Sequence, residues 1–161
     1  ATAINVFAEG WAQVSVTPDL GNIYKIAGHA LMTSGAGDLV NLAPGHAIRV
    51  AWTTSTRVNL VNNPYARVIQ IPATTIASIP VGVAVSAPVT LRGCWIQTRG
   101  VASILGSGTL IAGNEVAPGL GDAGAVGPIA NDTQDTNPHV GWAIFASATG
   151  AASPVFLMID G

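Results

Sequence analysis

The chain has 161 residues, enough to bury a proper core, yet only 9% of them are charged, where an average soluble protein carries roughly 25%. Hydrophobic residues are 49%, aromatics are 6% and mean hydropathy is +0.48, so the apolar excess is mostly Ala and Val. With so little charge to cover a free monomer, the composition points to a subunit packed against others.

The net charge of −2 is unevenly distributed. Up to Arg99 there are six basic and three acidic residues; beyond it there are five acidic residues and no Lys or Arg. Opposite halves suit contacts between neighbouring subunits, unless the two halves interleave in one fold and the asymmetry cancels. The basic residues are single and dispersed rather than gathered in a stripe, so no nucleic-acid partner is expected.

In chain order, Ala3–Phe7 and Gly10–Val16 alternate partially before Thr17-Pro18-Asp19 interrupts them. Residues 1–20 are therefore expected to be an arm or an edge strand, followed by a single β domain over 21–161. Asn22–Ile26 reads as a strand, leading to the Gly-rich connection Ser34–Asp38. Alternation is clearest over His46–Thr53, where Ile48, Val50 and Trp52 share one side, the pattern of a half-buried strand. Arg57–Val61 and Arg67–Ile71 repeat it around an Asn62–Tyr65 turn. Thr74–Ile79, fenced by Pro72 and Pro80, is the one stretch suited to a short helical turn. Val81-Gly82-Val83-Ala84-Val85 with Pro88–Leu91 echoes Val140-Gly141-Trp142-Ala143-Ile144 with Pro154–Leu157, either as equivalent strand-turn-strand units or as chance in a Val-Gly-Ala-rich chain. Between the copies come Arg92–Leu105 and Thr109–Val116, apolar runs bounded by Gly, Asn and Ser. Trp52, Trp95 and Trp142 all fall in strand-like runs and are expected in the core.

Chemistry-bearing motifs are few. Gly119-Leu120-Gly121-Asp122-Ala123-Gly124 fits G-x-G-x-x-G, but Pro128 cuts off the helix that would hold a pyrophosphate, so a turn is expected. His29, His46 and His139 lie at no metal-ligand spacing. Asn131–Asn137 is rich in side-chain oxygens but lacks the central Gly and final Glu of a Ca²⁺ loop. Cys94, the single cysteine, is expected to act as a small hydrophobe. No catalytic residue, cofactor or metal is expected. No signal peptide is expected, and although Val140–Ile159 is twenty uncharged residues, its Ser, Gly and Pro centre argues for two strands and a turn rather than a membrane span.

The strand Trp95–Leu105, the step Gly108–Val116 with its Gly113-Asn114-Glu115-Val116, the Gly124-Ala125-Val126 hairpin and the Val140–Ala143 and Pro154–Ile159 closure together carry a resemblance. Over residues 80–160 the chain resembles the small β-barrel modules of tailed-bacteriophage capsid decoration (cement) proteins and related virion structural proteins. The resemblance implies an antiparallel β-barrel or sandwich, and with the strand-and-turn pattern of the rest of the chain the expected fold is all-β with an extended N-terminal arm. It also implies a homo-oligomer (trimer or dimer) on the outer capsid surface of the virion, bridging copies of the major capsid protein without catalysis. Ile4, Val6, Phe7 and Trp11 are the candidate partner-binding residues, as apolar anchors of the arm. The alternative is a β-sandwich binding module for carbohydrate or a receptor, with a tryptophan as its stacking platform.

Overall fold

Short apolar runs broken by Gly and Pro build strands. The computed structural model describes residues 1–33, 37–76, 78–90, 92–129 and 137–160, and among them there is no helix. The protein is all-β, with antiparallel sheets. It divides into two compact units, Ala1–Arg67 and Val68–Gly161, so the boundary falls at 67/68 rather than at the expected end of an arm.

The first unit is a four-stranded sheet in the order β3-β2-β1-β4, made of β1 (Trp11–Val14), β2 (Ile23–His29), β3 (Val40–Leu42) and β4 (Val58–Val61). Alternation decides its faces: Ala12, Val14, Tyr24 and Ile26 point inward, and Phe7, Leu42, Trp52 and Leu60 pack on them. A register shift opposite Ala27 moves the inward parity of β2 from even to odd numbers, which brings His29 inside.

This arrangement corrects the arm-or-edge expectation for residues 1–20. β1 is an inner strand, paired with β2 through Trp11↔Lys25 and with β4 through Trp11↔Val61. The residues before it are tied to β2 and to the residues that follow it. Thr2 and Met32 exchange both backbone hydrogen bonds, Asn5 N–H donates to His29 O, and Glu9 N–H donates to Ile26 O.

His46–Thr53 is a second correction. It forms no strand, and Ile48 and Val50 are exposed. It is tied to β2 through side chains instead: Arg49 N–H donates to the Tyr24 hydroxyl, and the His46 ring accepts at Nδ1 from Lys25 N–H. Only Trp52 reaches the core. Arg67–Ile71 is likewise not a strand, and Arg67 takes a positive φ of 59°, outside the extended region a strand needs. Within 74–79 the described residues carry no helix.

The second unit holds β5 (Val83–Ala84), β6 (Ile96–Gln97), β7 (Arg99–Leu105), β8 (Glu115–Pro118), β9 (Val126–Pro128), β10 (Gly141–Ala143) and β11 (Ala152–Met158). β5 pairs with β6, and the others form one sheet in the order β7-β11-β10-β8-β9. Its longest ladder joins β7 and β11 over seven residue pairs, from Ala152↔Leu105 to Met158↔Arg99. Ala102, Ile104, Val116, Ala143, Val155 and Leu157 line the inner face around Leu110. A single parallel bridge, Gly106 to Val126, curls β9 back toward the end of β7. One bridge does not close a ladder, so no closed barrel forms among the described residues, and a sandwich-type arrangement remains compatible. The internal echo does not correspond to equivalent units. β10 pairs with β11, whereas β5 pairs with β6 and 88–90 form no strand.

Candidate interaction surface

The five-stranded sheet is unusual in being apolar on both sides. Inward positions of β10 and its neighbours are small or branched: Gly141 and Ala143 on β10, Val155 and Leu157 on β11, Ala102 and Ile104 on β7. The large residues of the same strands therefore face outward. Trp142 stands opposite Phe156, and Phe156 opposite Val101, so three apolar side chains form one row across three strands. They are 42%, 42% and 58% exposed, and Met158 beside them is 55% exposed. Cross-strand neighbours on one face lie about 5 Å apart, which makes this row continuous rather than a scatter of single residues.

The expectation that all three late tryptophans are core residues is thus corrected. Trp142 lies outward because Gly141 takes the inward place, where a Cβ would run into the Phe156 carbonyl. Trp95 precedes β6 and is 85% exposed. Trp52 is half-buried against the first unit's core.

The four expected anchors are dispersed. Phe7 packs on the core and against the His29 ring, centroids 5.5 Å apart. Its N–H donates to His29 Nε2 at 3.1 Å, while His29 Nδ1 lies 2.7 Å from Ala30 O and so carries the proton. Val6 is half-buried and Ile4 is exposed. Trp11 lies on the outer side of its sheet beneath Lys25, whose Nζ is 4.6 Å from the ring centroid and also pairs with Glu9. Ile4, Val6, Phe7 and Trp11 therefore do not form one patch.

One polar cluster in the first unit escaped the sequence reading. Asp19 is buried, its Oδ2 accepts from the Tyr24 hydroxyl at 2.5 Å and from Trp52 Nε1 at 2.9 Å, and its Oδ1 accepts from Asn22 Nδ2 at 2.6 Å. Burial pushes the carboxyl upward, but the donors Tyr24, Trp52 and Asn22, with the Arg49 charge, outweigh it and hold Asp19 below its ordinary 3.8. Every side-chain oxygen of this carboxylate is committed to the fold, so the cluster reads as structural. The sequence signal was faint: Asp19 follows Thr17-Pro18, which reads as a simple turn.

The remaining motifs are accounted for by backbone geometry. Gly119–Gly124 is the turn between β8 and β9, pinned by Gly121 N–H to Ala73 O, Gly124 N–H to Ile71 O and Gln70 Nε2 to Ala123 O. Asn131–Thr136, most of the oxygen-rich segment, lies outside the described residues, as does 34–36 of the Gly-rich connection. Cys94 is half-buried. Among the described residues no three His, Cys, Asp or Glu side chains come together to hold a metal, and no helix is long and apolar enough to cross a membrane. An open concavity of about 650 Å³ in the second unit is lined by Thr74, Ile76, Ile79, Leu120, Asn137, Pro138 and their neighbours, with no titratable side chain among the described lining residues.

Comparison with models of known protein families, with curated proteins and with solved structures returns no match.

Proposed function

We propose that the chain is a structural virion protein that binds the outer capsid surface and cements neighbouring copies of the major capsid protein. The observation that carries the reading is the exposed Trp142–Phe156–Val101 row, an apolar surface on an ordered sheet in a chain with only 9% charge. Contiguous apolar surface of this kind marks a contact with another macromolecule. The surface by which the subunit joins its neighbours in the assembly is assigned to the outer face of the five-stranded sheet rather than to an N-terminal arm.

The mechanism is mass action. A subunit that binds only the assembled lattice stabilises it in proportion to its occupancy, and many equivalent weak contacts add up to a strong one. Neither step needs a reacting group.

A second reading, a carbohydrate- or receptor-binding module, is favoured by the exposure of Trp95, an indole free to stack on a ligand. The Trp142 row suits it less well, since Phe156, Val101 and Met158 supply no side-chain hydrogen bonds to fix a sugar's hydroxyls and the Glu115 carboxylate opposite Trp142 is already engaged with His139 at 3.1 Å.

The test is size-exclusion chromatography with light scattering on the purified chain, alone and with DNA-emptied heads of the phage that encodes it. Co-elution at a fixed ratio together with a raised melting temperature of the heads supports the cement reading. A chain that ignores heads refutes it and turns attention to glycan binding.

A further inference from the structure

The five-stranded sheet carries a charge pattern that is complementary to itself. Within its strands the only charged residues are Arg99 on β7 and Glu115 on β8. Both lie on the outer face: Arg99 pairs with Met158, two residues from Phe156, and Glu115 pairs with Trp142. The apolar row therefore has a basic edge on one side and an acidic edge on the other. Among the described residues the Arg99 side chain has no ion-pair partner, while Glu115 holds His139 at 3.1 Å and stays partly exposed.

We propose that this face packs against the same face of a second copy of the chain, about a two-fold axis parallel to the strands; the inference rests on the assembly reading above and names the partner of its surface. Such an axis reverses the strand order, setting β10 over the copy's β11 and β7 over its β8. Trp142 then meets the copy's Phe156 twice, and each Arg99 approaches the other copy's Glu115. A two-fold axis across the strands would instead set basic edge on basic edge, which like-charge repulsion disfavours. One residue of each sign at opposite edges is what an isologous contact requires.

The contact is small. Seven-residue strands span about 20 Å and four neighbouring strands about 15 Å, a footprint of roughly 300 Å² per copy. The total of roughly 600 Å² is well below the ~1,200 Å² of stable complexes, so the pair forms only weakly in solution. Anchoring on a lattice raises the effective concentration of neighbours and turns a weak pair into an occupied one.

Sedimentation equilibrium of the full chain at low salt, from about 5 µM to about 500 µM, tests the pairing. The wild type should shift from monomer toward dimer over this range. Phe156→Glu should weaken the dimer by at least about tenfold, and Arg99→Glu by about fivefold. Combining Arg99→Glu with Glu115→Arg should restore most of the loss, and because both side chains stand at the sheet surface the fold survives, as circular dichroism would verify. A wild type that stays monomeric at the highest concentration, a Phe156→Glu dimer of unchanged strength, or a double variant that restores nothing overturns the proposal. A monomeric chain that still binds empty heads would overturn the pairing and leave the cement reading standing; a dimer that ignores heads would do the reverse.

Discussion

Gly141 is the position on which the outward placement of Trp142 depends. It pairs with Leu157 in the β10–β11 ladder, and a Cβ built on it would lie 2.8 Å from the Phe156 carbonyl carbon and 3.0 Å from Leu157 Cα, with the Phe156 carbonyl oxygen closer still. All three are backbone atoms of the partner strand, so no rotamer change relieves the clash. The strands must separate at Met158 N–H to Val140 O, a hydrogen bond of 3.0 Å next to the site. Overpacking of about 1–3 kcal/mol and the loss of one or two backbone hydrogen bonds at about 1 kcal/mol each give Gly141→Ala a cost of about 3 kcal/mol. For a unit of this size that lowers the melting temperature by about 12–24 °C. Gly93→Ala is the control, since none of the described residues lies within 4 Å of a Cβ built there and its φ is not positive; it should change stability by less than about 1 kcal/mol. Differential scanning calorimetry of both variants decides the matter. A Gly141→Ala protein melting within about 3 °C of wild type would refute the close approach of β10 and β11.

Four further outcomes follow from the first unit. Asp19 has a lowered folded-state pKa, so its stabilisation is present above the ordinary carboxylate value of 3.8 and is lost as pH falls through the lower folded value; urea titrations across that window should show wild-type stability declining with acid and Asp19→Asn showing a flatter profile from a lower start. His29→Ala removes the acceptor for Phe7 N–H and the ring contact with Phe7, and should cost about 2–3 kcal/mol in denaturant melts. Deleting residues 1–9 should lower the melting temperature of the first unit, as read by circular dichroism; unchanged melting would contradict the hydrogen bonds that tie this segment to β2 and Met32. Lys25→Ala should change stability by less than about 1 kcal/mol, because its contacts with Trp11 and Glu9 lie at the surface.

The all-β class was legible because Gly and Pro punctuate short Val- and Ile-rich runs, and β2, β4, β7 and β11 fall where those runs lie. Faces were harder to read. His46–Thr53 alternates better than most strands present, yet it has no ladder, because alternation reports parity and not whether a partner edge is available. In β10 the rule that large apolar residues point inward fails: Gly141 and Ala143 occupy the inner side and Trp142 the outer. That choice depends on the close approach of β11, a contact between strands that a single run of sequence does not encode. The N-terminal segment was misjudged for a similar reason. The positive φ at Asn5 (58°) and Glu9 (58°) folds it back along β2, and Gly28 leaves room for the Asn5 side chain that accepts from His29 N–H. Turn propensity at Asn hints at such a fold-back but does not give its destination.

The central claim is that the outer face of the five-stranded sheet is the surface by which this protein joins an assembly. The most direct measurement is co-sedimentation with DNA-emptied heads of three proteins: wild type, Trp142→Glu, and Ile69→Glu, an exposed apolar position outside the five strands. All three should fold alike by circular dichroism. Wild type and Ile69→Glu are expected to bind at equal occupancy, with Trp142→Glu weakened by at least about tenfold. Equal binding by Trp142→Glu would contradict the account.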